Sequence, residues 1–193
     1  MTWPALIRLG TVGVLAVGAL AVNAAEDLPI VDSATLGTRS DLPWSELVQI
    51  DDPFEGQFIG VFDRNFFFDR FLNTRVRIEV QSLWTPESVR VLLMTRDRDC
   101  SGRLNPDNTA SNVTCSELFG SRTITALLIK VDEQVFQVPG QNNMFPVSDE
   151  LAEALRTAPR ENIRIRLVTE NGAAVDSEIG EGTVAAWETL YTD

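Results

Sequence analysis

The chain has 193 residues, 44% hydrophobic and 23% charged, a composition that suits one globular domain and excludes collagen-like and disordered classes. Its formal charge of −12, from 16 basic and 28 acidic residues, repels phosphate backbones and anionic headgroups, which argues against nucleic acid as a partner. Histidine is absent, so Ser-His-Asp and Cys-His hydrolases, histidine general bases and nearly all zinc, copper and non-haem iron sites are excluded.

The first 24 residues read as a cleavable signal peptide. Arg8 supplies the cation, Leu9 to Val22 runs apolar or small without a charge, and Val22-Asn23-Ala24 offers the small residues that a leader peptidase needs. A membrane span needs about 20 apolar residues, and this run is shorter and meets Glu26-Asp27 at once. The remainder is therefore expected to be exported, periplasmic or extracellular, with no membrane span after cleavage. Residues 25–45 mix acidic, small and proline residues without periodicity and read as a tether. The expected domain, residues 46–193, is mainly β: an antiparallel β-sandwich or barrel-like fold with two short helices near the C-terminus.

Within that domain, GQFIGVFDRNFFFDRF concentrates Phe58, Phe62, Phe66, Phe67, Phe68 and Phe71. Three consecutive phenylalanines cannot all face one side of a strand. They are read either as core at a corner of the chain or as an exposed apolar rim that grips a partner or ligand. Arg75 to Gln81 alternates polar and apolar, as a strand with one wet face does. Ser88 to Thr95 and Thr123 to Val131 are more continuously apolar and read as strands covered on both faces. Although Pro86 could open a helix, the β-branched Val89 and Val91 favour a strand there.

Asp97-Arg98-Asp99-Cys100-Ser101-Gly102 begins like a calcium loop, with oxygen ligands from Asp97, Asp99 and Ser101 and glycine at the sixth position. Against calcium stand Asn108 in place of the bidentate glutamate, and Arg96, Arg98 and Arg103 close by. Cys100 and Cys115 are the two cysteines, with 14 residues between them, and in an exported protein they are expected to form a disulfide closing a polar loop.

Further on, Val135 to Val138 should pair with the preceding strand through Asp132-Glu133-Gln134. Ile163 to Leu167 alternates, and Asn171-Gly172 signals a hairpin into Ala174 to Ile179. Ser148 is expected to cap a helix over Asp149 to Thr157, and Thr183 one over Val184 to Tyr191. Gly180-Glu181-Gly182-Thr183-Val184-Ala185 has the form of a dinucleotide loop. Yet Glu181 would face the pyrophosphate, and the further strand with its acidic residue does not follow, so a glycine turn feeding a capped helix is the better reading.

With histidine absent and the cysteines bridged, carboxylates, arginines, Lys130, Tyr191 and hydroxyls remain for chemistry, and no spacing singles out an acid–base pair. The expected function is an exported, non-catalytic binding or structural domain of unknown partner, needing no cofactor. A carboxylate-based hydrolase and a calcium-stabilised adhesion module are the competing classes. A cleft with two buried carboxylates of raised pKa would favour the hydrolase, and an apolar patch around Phe66 to Phe71 the binder.

Overall fold

The computed structural model describes residues 28–37, 39, 41–68, 76–101 and 114–192, with side chains described for these except at 97–101 and 114–119. Two open sheets face each other across a shared core, and neither closes into a barrel. The larger sheet holds β1 (Ile30–Val31), β2 (Leu47–Asp52), β3 (Gly56–Phe68), β4 (Arg77–Trp84), β5 (Ser88–Ser101) and β6 (Thr114–Arg122) in that order. The smaller sheet runs β11 (Ala174–Ile179), β10 (Ile163–Thr169), β7 (Ile124–Val131) and β8 (Gln134–Pro139), while β9 (Met144–Pro146) pairs with the start of β5.

Alternation along each strand decides what is buried. Val61, Val80, Trp84, Val89, Val91 and Leu93 point inward from the large sheet to meet Leu127, Ile129, Ile165 and Leu167 from the small one. On β7 the intervening Thr125 is exposed and Leu128 and Lys130 are only half-buried. The continuous apolar run there is thus covered on one face, not two. The turns follow their residues: Val131 pairs with Gln134 across Asp132-Glu133, where Asp132 takes φ 50°, and Gly172 takes φ 79° between β10 and β11.

β4 departs from its sequence pattern. Every residue from Glu79 to Trp84 is buried, including Glu79 and Gln81 on the face expected to be wet. The cause lies in the segment read as a tether. Val31, Ala34 and Leu42 form a second apolar cluster with Val48, Ile50, Phe62 and Leu83 on the outer face of the large sheet, so the described residues between 28 and 45 roof that face as well as lead into it. Gln81 and Asp52 find partners under the roof. The Gln81 amide donates to the Gly37 carbonyl at 2.7 Å and accepts from the Gly37 N–H at 2.9 Å, and Asp52 accepts from the Ala34 N–H at 2.8 Å. Together with the N–H groups of Phe54 and Glu55, that contact holds the Asp52 carboxyl below its ordinary range.

Both helices complete the inner core. α1 (Asp149–Arg156) is capped by Ser148, whose hydroxyl accepts from the Leu151 N–H, and it buries Leu151 and Leu155. α2 (Glu181–Leu190) starts three residues before the Val184 start expected from a Thr183 cap. Gly180 is its N-cap, and Val184, Trp187, Leu190 and the following Tyr191 face the core. No helix among the described residues is long and apolar enough to cross a membrane.

Candidate functional site

β3 carries most of the chemistry of interest, because its two faces see different surroundings. Asp63 shares the inner face with Val61, where it is 2% exposed and reaches the start of α2. It accepts from the Gly180 N–H at 3.2 Å and the Thr183 hydroxyl at 2.7 Å. Thr183 has one proton and gives it to the carboxylate. The Ser45 hydroxyl, 3.0 Å from Thr183 Oγ1, therefore acts as donor in that contact. Thr183 is thus occupied by Asp63 and does not cap the helix, which explains the earlier start of α2. Gly182 lets that turn approach the chain, since a Cβ there would lie 3.0 Å from the Ser45 Cβ. Where a dinucleotide loop would hold a phosphate, this turn holds the protein's own carboxylate.

Burial pushes the Asp63 carboxyl above its ordinary range, against the opposing effect of the Thr183 and Gly180 donors. A group whose folded pKa is raised contributes stability below its unfolded pKa and loses it as pH rises through the folded value. Asp63→Asn keeps an oxygen acceptor for both donors without a charge to bury. It is therefore expected to be more stable than the parent at pH 7, with the difference shrinking towards pH 3.5 in urea titrations. A variant less stable than the parent at both pH values contradicts a purely capping role.

Glu79, the other carboxylate on these central strands with 2% exposure, lies on the outer face. Its partner across the sheet is Phe66, whereas Asp63 lies opposite Ser82. Glu79 accepts from the Gln81 amide at 2.8 Å and has the guanidinium groups of Arg77 and Arg96 at 3.7 and 3.5 Å. Because Asp63 and Glu79 sit on opposite faces of one sheet, they cannot share a substrate as an acid–base pair, and a third buried carboxylate, Asp52, is held below its ordinary range by backbone donors.

The phenylalanine run is divided by the same parity. Phe62 is fully buried in the outer cluster, and Phe67 is half-buried against the inner core. Phe66 and Phe68 lie on the outer face at 50% and 60% exposure. The Arg77 guanidinium stacks 4.0 Å over the Phe66 ring, and that of Arg64 lies 4.7 Å from Trp44. Phe71 lies outside the described residues. Sequence reasoning left open whether the run was core or surface; it is both, residue by residue.

Asp97, Asp99 and Ser101 occupy the end of β5, where the backbone is extended rather than curled as a calcium loop requires. Successive alternate residues of a strand are about 6–7 Å apart, so the spacing that resembled a ligand set belongs to a strand in register with β6. Their side chains lie outside the description. In the same ladder Cys100 is directly opposite Cys115. Opposed residues in an antiparallel pair have Cα atoms about 4.5–5.5 Å apart, within the span of a disulfide.

One feature without a local sequence signal is a groove of about 620 Å³ where β3 crosses the small sheet, lined by residues that include Phe67, Leu128, Lys130, Val135, Arg164 and Arg166. Asn65 fixes the crossing, its amide donating to Ser177 Oγ at 3.3 Å and to the Glu178 carbonyl at 3.2 Å. No protein-family model, curated protein or solved structure matches this chain.

Proposed function

We propose that this protein is a non-catalytic binding domain that acts after export and captures a partner protein through the outer face of β3. The observation that carries this reading is the pair Phe66 and Phe68, half or more exposed on a strand whose other aromatic residues are buried or half-buried. Exposed aromatics beside arginine match the composition of protein contact surfaces, where rigid rings add area at low entropic cost. The face is a strand surface rather than a recess, which suits an apolar patch on another protein better than a small molecule. The separation of Asp63 from Glu79 supports binding over carboxylate-based hydrolysis. Neither the calcium reading nor a cofactor is needed for it.

A neutral apolar dye, Nile red, tests whether the face is an accessible apolar surface. The folded protein is expected to bind it saturably, and Phe66→Ser with Phe68→Ser to weaken that binding at least about fivefold, roughly 1 kcal/mol. Unchanged dye binding by the double variant overturns the assignment of this face.

A further inference from the structure

We infer that the groove between β3 and the small sheet is a second binding site, one that takes a small carboxylate carrying a short apolar chain. It is separate from the outer-face contact, because Phe67 points to the opposite side of β3 from Phe66 and Phe68. Three cations, Lys130, Arg164 and Arg166, line it together with two carboxylates, Asp176 and Glu178, in a chain that is otherwise strongly acidic.

The existing pairs do not use up that positive charge. Arg166 is closed on Asp176 through a two-point contact at 2.5 and 2.8 Å. Lys130 has a single loose pair, 3.8 Å from Glu133, whose side chain is 99% exposed. Glu178, opposite Arg164 in the ladder, accepts from the Asn162 amide at 3.3 Å. Arg164 makes no ion pair with any described residue. Its planar fork is therefore available to an incoming carboxylate, with the Lys130 ammonium as the second charge.

Beside these cations Leu128 is half-buried, Val135 is 55% exposed and the Phe67 ring forms a wall. A chain of six to eight carbons bound there covers apolar surface that water now touches. Such a ligand satisfies both halves of the groove. A neutral alcohol leaves Arg164 without a counter-charge, and an inorganic anion leaves Leu128 and Val135 wet.

The test is a titration with sodium octanoate followed by methyl NMR, with 1-octanol as the uncharged control. Octanoate is expected to saturate, to shift the methyls of Leu128 and Val135, and to bind at least about tenfold more tightly than octanol. Arg164 is exposed, so Arg164→Gln should fold as the parent does and bind octanoate at least tenfold more weakly, with its octanol affinity unchanged. The inference is overturned by absence of saturable shifts up to about 10 mM, by equal affinity for octanol, or by unchanged binding in Arg164→Gln. Shifts confined to residues around Phe66 and Phe68 overturn it too. Dye capture by the outer face is lost in a different variant, so the failure of one site is distinguishable from failure of the other.

Discussion

Replacing Trp187 with alanine is expected to cost about 3–5 kcal/mol, the range for deleting a large buried ring. Trp187 is fully buried, and its indole lies 4.5 Å from that of Trp84 at an interplanar angle of 54°. Trp84 is itself fixed, because its Nε1 donates to Ser82 Oγ at 2.8 Å. The pair joins α2 to β4, so the cavity left by alanine opens between a helix and the sheet that it seals. Val184, Leu190 and Tyr191 lie on the same helical stripe and lose their common anchor. Burial pushes the Tyr191 phenol above its ordinary range, so this side chain stays neutral throughout the usual working range and adds no pH dependence. Urea denaturation followed by far-UV circular dichroism measures the loss. Trp187→Phe, which keeps a ring in place, should lose far less, and equal losses for alanine and phenylalanine contradict ring packing as the cause.

The second large effect is expected at the cysteine pair. Changing both Cys100 and Cys115 to serine should lower stability by about 3 kcal/mol, the chain-entropy value for closing a loop of roughly 15 residues. Their direct opposition in the β5–β6 ladder means that a bridge closes the hairpin without shifting register. The difference should vanish when parent and variant are compared in a strong reductant, since both chains are then uncrosslinked. Equal stability under oxidising conditions contradicts the bridge, as do two alkylatable thiols in exported protein.

Local patterns were readable wherever one residue's neighbours in sequence decide its surroundings. Ile163 to Leu167 alternates in sequence and in burial, and Ser148 caps α1 at the residue marked for it. Asn171-Gly172 makes its turn. What was not readable depends on contacts between distant segments. Gln81 is buried because Gly37 covers it, 44 residues away, and Thr183 turns to Asp63, 120 residues away. The wet face expected for β4 is dry at Gln81 for that reason. The start of β6 at Thr114 had no clean alternation to announce it. The groove combines Phe67 with side chains from β7, β8 and β10, a set that no linear motif can display. Within FFF, alternation makes neighbours diverge, but which side is covered depends on the distant inner core, against which Phe67 packs.

The most direct measurement of that division is the urea midpoint of Phe66→Ser with Phe68→Ser, set beside that of Phe67→Ser. If the outer face is a contact surface and the inner face is core, the double variant should lose less than about 1 kcal/mol, as exposed positions do. The single Phe67→Ser change should lose about 2–4 kcal/mol, reduced from a full ring deletion by its partial exposure. A double variant that unfolds, or loses more than Phe67→Ser, places Phe66 and Phe68 in the core and contradicts the binding face.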